Sequence, residues 1–135
     1  MKRLFVTLFA LLAIGAASAQ SEIIAKFNEG AKAIQEKNYP SAITSFETVI
    51  DKGMDSEDPK VASCVATAKK YLPTCYQGIG IQAAGQKNYE KAIEYLTKAA
   101  ETAELYGNST AKQKANTILA KVYQVQGGEA FNAKD

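Results

Sequence analysis

The chain contains the segment KNYPSAI at residues 37–43 and repeats it as KNYEKAI at residues 87–93. Five of the seven positions are identical, at an offset of 50 residues. Apolar residues recur at helical spacing on both sides of each copy, which is typical of amphipathic helices. The segment therefore predicts a helix, a tight turn at its Asn, and a second helix that folds back on the first.

Signals for helix starts and ends divide the rest of the chain. A first helix is predicted near residues 22–37, and Pro40 suits the first turn of the next because its missing N–H needs no partner there. Asp58 and Pro59 predict the start of a third helix. Alternating apolar and polar stretches, which would indicate strands, are absent. We predict an all-α protein of antiparallel helical hairpins, with two hairpins and an unpaired last helix: residues 22–52, 59–106 and 109–133.

The third helix contains a proline. Its apolar stripe keeps one phase from Val61 to Ala83, although Pro73 lies within it. A proline inside a helix costs about 3 kcal/mol and bends the helix. Either one long helix runs over 59–86 with a kink near Pro73, or a short helix ends near Lys70 and Pro73 opens another. The unbroken phase favours the kinked helix, which makes about five helices after the N-terminal segment.

The N-terminal segment has the pattern of a secretory signal peptide. Lys2 and Arg3 precede an apolar run over residues 4–17, and Ala17-Ser18-Ala19 matches the small-x-small cleavage pattern. The run is shorter than the roughly 20 residues needed to span a bilayer. We predict a signal peptide over 1–19, a helical domain over 20–135, and export to a bacterial periplasm or cell envelope, or secretion. No membrane insertion is expected after cleavage.

Charge argues against nucleic acid as a partner. Without Lys2 and Arg3, the chain has 14 basic and 14 acidic residues. They are interspersed, and the longest basic run is Lys69-Lys70. Nucleic-acid binding needs a basic stripe or patch. We therefore expect no nucleic-acid partner.

Residues that carry enzyme chemistry are scarce. The chain has no His, which excludes His-based catalytic triads and most zinc sites. Cys64 and Cys75 lack metal-ligand spacing, and eleven residues of helix span about 16 Å, too far for a disulfide. We interpret both as small buried apolar residues, with an intermolecular disulfide as the alternative. We predict no enzyme activity, no cofactor and no metal.

Glycines recur at matching places in the first helix of each hairpin. A glycine inside a helix costs about 1 kcal/mol relative to Ala, and a close helix crossing would justify that cost. An Ala follows twelve residues later in the two complete copies, and a Tyr ring can cover the end of each hairpin. We predict packing roles for seven residues: Gly30, Tyr39, Ala42, Gly80, Tyr89, Ala92 and Gly127.

A partial third copy lies at the end of the sequence. Residues 123–135 align with residues 76–88 at an offset of 47, so that Gly127 matches Gly80. The last helix is expected to begin at Asn108 or Ser109. It either caps the array or belongs to the front part of a longer array. We predict five residues of this helix to face inward: Ala111, Ala115, Ile118, Val122 and Val125.

The pattern resembles the tetratricopeptide repeat family over residues 22–135. The resemblance rests on the Gly, the Asn-Tyr at the turn, the Ala-Ile that follows, and Phe46 or Leu96 four residues after the Ala. The family period is about 34 residues, and we attribute the longer offsets here to extended helices. The first copy matches less well, because Lys26 and Glu29 stand where the second copy has Tyr76 and Ile79.

The resemblance implies a non-catalytic scaffold that binds a peptide or protein on the concave face of the first helices. The family's clamp for a C-terminal carboxylate uses Lys and Asn at such places, and this sequence lacks them there. Core packing is the alternative role for Phe27, Ile34 and Ile81. A second function is the N-terminal structural part of a larger envelope assembly factor. Self-association through the last helix is a further possibility. The implied face comprises Phe27, Ala31, Ile34, Gln77, Ile81, Ala84, Gln124, Gly128 and Phe131.

Overall fold

A computed structural model of the chain describes the backbone of residues 2–133 and the side chains of residues 19–132. In that part of the chain there are α-helices and no strands, so the all-α prediction is confirmed. Each helix packs against the next one along the chain. The five helices are α1 (Lys2–Gln35), α2 (Tyr39–Gly53), α3 (Pro59–Gly85), α4 (Tyr89–Leu105) and α5 (Ser109–Ala133).

Helix α1 extends further than the sequence predicted. The helix expected near residues 22–37 is the second half of α1, which runs without interruption through the predicted cleavage site at Ala19. The predicted signal peptide over 1–19 stays a prediction, and the side chains of residues 1–18 lie outside the described residues. Within the described residues, no helix is both long and apolar enough to cross a membrane.

One type of turn follows α1, α3 and α4. In each, the residue before an Asn has a positive φ: 57° at Lys37, 61° at Lys87 and 69° at Gly107. The N–H of the Asn then donates to the carbonyl five residues back, at 2.8, 2.9 and 2.7 Å, which closes the preceding helix.

The Asn side chain of each turn also begins the next helix. Its Oδ1 accepts from the backbone N–H three residues on, at 3.4 Å for Asn38, 3.2 Å for Asn88 and 3.1 Å for Asn108. This is the geometry of an N-cap. The turn predicted twice from the repeated segment therefore occurs a third time, between α4 and α5.

The connection from α2 to α3 is different. Asp58 caps α3 by accepting from the N–H of Lys60 at 2.8 Å and of Val61 at 3.3 Å. Pro59 is the first residue of α3, as predicted. Helix α3 is a single helix that passes through the buried Pro73. The alternative of two helices divided at Pro73 is therefore wrong, while the kink near Pro73 stays a prediction.

The first hairpin is antiparallel and closely packed. A Cβ at Gly30 would come 2.8 Å from the ring of Phe46, whereas Ile23 lies 3.8 Å from the Cβ position of Gly53. The earlier residue of α1, Ile23, therefore lies near the end of α2, and the later residue, Gly30, lies near its middle, as in an antiparallel pair. Phe46 is fully buried, and burying a side chain of this size contributes about 2–3 kcal/mol.

The second hairpin repeats this arrangement. A Cβ at Gly80 would come 2.6 Å from Cγ of Leu96 and 3.3 Å from the carbonyl oxygen of Ala92. Leu96 and Ala92 are fully buried, as is Ala42 in the first hairpin. Gly127 differs, because a Cβ there would meet no atom within 4 Å. The packing role predicted for Gly127 has no counterpart in the described part of the chain.

The helices fall into two layers. α1 contacts α3, and α3 contacts α5, whereas α2 and α4, both described in full, do not touch each other. The first helices of successive repeats, α1, α3 and α5, therefore lie next to one another along one side of the molecule. Every residue of α5 from Tyr123 to Asn132 is exposed.

Candidate functional site

An apolar groove of about 210 Å³ lies between α3 and α5. The first residue of α4 also contributes, and seven residues form its walls. We call this recess the apolar groove, and its lining is Ile81, Ala84, Tyr89, Ile118, Lys121, Val122 and Val125.

Helical spacing brings these residues together. On α5, Ile118, Val122 and Val125 recur at intervals of four and three, so they share one face of the helix. On α3, Ile81 and Ala84 do the same. α3 and α5 run in the same direction here, because they are separated by α4 and each packs antiparallel to it.

The floor of the groove rests on the core of the second hairpin. Val122 is 5% exposed and belongs to a cluster with Ala83, Ala92 and Leu96, against which Ile118 packs. Above this floor, Ile81 is 47% and Val125 is 50% exposed. Covering apolar area of this kind favours complex formation, and part of the roughly 25 cal/mol per Å² gained is offset by the entropy lost on association.

Glu129 ties α5 to the turn beside the groove. The Lys87 ammonium lies 3.6 Å from Glu129 Oε1. The Tyr89 hydroxyl interacts with the same carboxylate, and this interaction is the largest cause that raises the pKa of Tyr89, because a neighbouring carboxylate favours the neutral phenol. Both contacts connect the groove wall formed by Tyr89 to α5.

A second recess of about 400 Å³ lies between α3 and the start of α5, nearer the N-terminal ends of both helices. It contains Gln77, one of the residues predicted for the binding face. Two lysines, one from each helix, also line it. We call it the polar recess, and its lining is Lys70, Tyr71, Thr74, Gln77, Asn108, Thr110, Ala111 and Lys114.

The equivalent place in the first hairpin is filled. The repeat offset of 47 matches Val125 with Gly78, and the ring of Tyr39 lies so close to Gly78 that a Cβ there would be 2.5 Å from ring carbons. The same offset matches Ile118 with Tyr71, whose ring centroid lies 5.9 Å from that of Phe46. In the first place the Tyr71 ring and the close approach of Tyr39 to Gly78 fill the space. In the second, the aliphatic Ile118 and Val125 leave the groove open.

The structure separates the predicted binding-face residues. Phe27 and Ile34 pack against the core of the first hairpin, and the Phe27 ring centroid lies 5.8 Å from that of Phe46. Phe27 and Ile34 therefore have the alternative role, which is core packing. Ala31 is half-buried beside them. Ile81 and Ala84 do come together, in the apolar groove.

The predicted face residues of α5 lie away from the groove. Gln124 and Gly128 are exposed, and Phe131 is 68% exposed. The lining of the apolar groove includes none of the three. They share the exposed end of α5 with Tyr123.

The sequence predicts inward-facing residues on α5 but not the groove that they line. Val125 was expected to face inward and is half exposed, while Ala115 and Val122 are buried as expected. Lys121 also lines the groove and is not among the predicted residues. The signal was the repeat itself, because extending the offset of 47 back to Ile118 places a smaller residue where the earlier unit has Tyr71.

A tyrosine outside the groove links three helices. The Tyr76 hydroxyl donates to Glu47 Oε1 of α2 at 3.0 Å, and its ring centroid lies 6.3 Å from that of Tyr95 on α4. Burial is the largest cause that raises the pKa of Tyr76 to about 12, and the hydrogen bond to Glu47 acts in the same direction.

The cysteines have the environment of packing residues. Both are free thiols, and burial raises the pKa of Cys75 to about 12 and raises that of Cys64. A thiolate is the reactive form of cysteine, so neither position favours nucleophilic chemistry. Among the described residues, no three His, Cys, Asp or Glu side chains are grouped to hold a metal ion.

Comparison of this chain with protein-family models, with curated proteins and with solved structures finds no match. The interpretation of the site therefore rests on its residues and geometry.

Proposed function

We propose that the chain is a non-catalytic scaffold of tetratricopeptide type that binds a peptide or protein segment in the apolar groove between α3 and α5. The observation that carries this proposal is the pair Ile81 and Val125, aliphatic side chains left about half exposed on facing helices. Contacts between α1 and α3, and between α3 and α5, support a shared face of first helices. The recurring Asn turn supports a repeat origin.

We also propose that the scaffold acts in a bacterial cell envelope after removal of residues 1–19. Ala19 and Gln20 lie outside the buried set, and the first buried side chain among the described residues is Ile23. Lys52 of α2 pairs with Glu22, one residue before it. Among the side chains of residues 19–132, packing of the hairpin therefore starts at residues that a mature chain beginning at Gln20 would retain.

A second function has its own support. Tyr123 is 55% and Phe131 is 68% exposed on the last part of α5. In a repeat array, the first helix of a unit buries such residues against the following helix. This surface favours a structural portion of a larger envelope assembly factor, in which the ligand site lies in further repeats. Self-association through α5 would cover the same residues.

Site-specific photo-crosslinking in the cells that make the protein tests the groove. A photoreactive phenylalanine replaces Ile81 in one variant, Tyr123 in a second and the exposed Lys60 in a third. Groove binding predicts an adduct from position 81 that Ile118→Glu abolishes. Adducts confined to position 123 would favour the assembly function instead. Equal adducts from all three positions would contradict a defined site.

A further inference from the structure

The apolar groove and the polar recess form one crease between α3 and α5, and the charged residues that line it all have the same sign, while Glu129 lies beside it and pairs with Lys87. Lys70 and Lys114 line the polar recess, and Lys121 lines the apolar groove. No Asp or Glu lines either recess. This is unusual for a chain that has equal numbers of basic and acidic residues once Lys2 and Arg3 are left out.

These lysines also lack ion-pair partners within the part of the chain that the structure describes. Six ion pairs occur among residues 19–132, and they involve Lys26, Lys32, Lys52, Lys87, Lys98 and Lys112. The side chains of Lys70, Lys114 and Lys121 are exposed. Their ammonium groups are therefore available to carboxylates of another molecule.

Positive charge and apolar surface alternate along the crease. Lys114 and Lys121 are seven residues apart on α5, which is about 10 Å along the helix axis. Ile118 lies between them on the same face, opposite Ile81 of α3. A ligand that lies in the crease would meet a cation, then an apolar patch, then another cation.

Resting on the proposed function, we propose that the partner of this groove is an acidic peptide segment in which carboxylate side chains flank an apolar anchor. The anchor covers Ile81, Ile118 and Val125, and the carboxylates face Lys114 and Lys121, with Lys70 at the far end of the polar recess. In a segment with the polyproline II conformation, side chains three residues apart share one face and span about 9 Å, which is close to the spacing of the two lysines.

The same cations fit nucleic acid or an anionic membrane less well. Nucleic-acid sites neutralise many phosphates with a continuous basic surface, whereas this crease has three lysines around an aliphatic floor. Membrane-surface helices present basic residues beside a continuous apolar face, and here the apolar residues line a recess between two helices. The aliphatic floor favours a peptide with apolar side chains.

Binding of three synthetic peptides to the full chain tests the proposal. The peptides share the same Leu positions, and all their other positions are Glu, Gln or Lys. Fluorescence anisotropy should show the Glu peptide binding about tenfold more tightly than the Gln peptide, since three exposed ion pairs together contribute about that ratio. The Lys peptide should bind most weakly, and added salt should reduce the preference for Glu.

Charge-neutral variants locate the effect. Lys70→Gln, Lys114→Gln and Lys121→Gln together should remove the preference for the Glu peptide. The matched control replaces three lysines outside the crease with Gln: Lys32, Lys60 and Lys91. It removes the same charge and should keep the preference. The peptide series uses the unaltered protein, so its result does not depend on the folding of any variant.

The outcomes separate this inference from the proposed function. Equal affinity for all three peptides, weakened by Ile81→Ser, would overturn the acidic partner and leave groove binding in place. No peptide binding, or binding that Ile81→Ser does not change, would overturn both. A short single-stranded oligonucleotide or anionic vesicles that displace the Glu peptide at equal charge concentration would also overturn the acidic peptide as partner.

Discussion

The ring of Tyr39 lies directly against the backbone of α3 at Gly78, where a Cβ would come 2.5 Å from two of its ring carbons. This contact joins the turn of the first hairpin to the first helix of the second. It also closes in the first hairpin the place that is an open groove in the second. Tyr89 occupies the equivalent turn and faces Val125 instead.

A double-mutant cycle measures the contact between Tyr39 and Gly78. Gly78→Ala should lower the free energy of unfolding by about 1 kcal/mol with Tyr39 present, because overpacking exceeds the gain in helix propensity. With Tyr39→Ala as background, the same change should raise it by about 0.5–1 kcal/mol. Urea unfolding followed by circular dichroism gives the four values. Additive effects would show that the two residues are not in contact.

Gly80 should tolerate a methyl group even less. Its Cβ position is 2.6 Å from the fully buried Leu96 and 3.3 Å from a backbone oxygen, so neither neighbour can move freely. We expect Gly80→Ala to lower the free energy of unfolding by about 2 kcal/mol.

The matched control for Gly80 is Gly127→Ala, which should raise the free energy of unfolding by about 0.5–1 kcal/mol. Gly127 is helical, and a Cβ there meets no atom within 4 Å. Equal effects of the two substitutions in urea unfolding would contradict the pairing of α3 with α4.

Lys37 should be better replaced by glycine. Its φ of 57° lies in the left-handed region, which costs a residue with a Cβ about 1 kcal/mol. Lys37→Gly should therefore raise the free energy of unfolding by about 1 kcal/mol. Thermal unfolding should show this as a higher midpoint temperature. Gln35→Gly, two residues earlier in the last turn of α1, should lower the stability by about 0.5–1 kcal/mol. A loss of stability in Lys37→Gly would argue against the described turn.

Tyr76 should make the protein sensitive to alkaline pH. Its pKa in the folded chain is about 12, above the ordinary value of about 10. Between these values the folded chain keeps a proton that the unfolded chain releases, so the free energy of unfolding falls as pH rises through this window. Tyr76→Phe removes the titrating hydroxyl, and this variant should lose less stability over the window.

The control for the alkaline transition is Tyr123→Phe, which changes an exposed ring on α5. Its stability should follow the unaltered chain at every pH. Absorbance at the phenolate band should also show one fewer late-titrating group in Tyr76→Phe. Identical pH dependence of stability in all three proteins would refute the raised pKa of Tyr76.

The boundary of the mature protein should lie at Gln20. Mass spectrometry of the protein from the envelope fraction of its own cells should give a chain that starts there, because Ala17 and Ala19 provide the small residues that cleavage requires. Ala19→Asp should leave the precursor uncleaved, whereas Ser21→Asp, beyond the site, should be processed. An unprocessed chain that retains Lys2 and Arg3 would contradict the predicted signal peptide.

The sequence alone was sufficient for the helices and most of their ends. Asp58 caps α3 as predicted, Asn38 and Asn88 lie at the predicted turns, and Asn108, one of the two candidates, caps α5. These features are local, because capping involves a side chain and backbone groups within three residues. The unbroken apolar phase likewise predicted that α3 continues through Pro73.

Only the tertiary structure decided which apolar residues are covered. Phe27 and Ile81 were predicted for one binding face, yet Phe27 packs against Phe46 and Ile81 stays half exposed. For Ile81 the cover depends on the neighbouring helix, which supplies Ile118 where the preceding unit has the larger Tyr71. The spacing of apolar residues along the sequence indicates which side of a helix is apolar. How fully that side is covered depends on the volume of residues about 40 positions away, which approach only when successive hairpins stack.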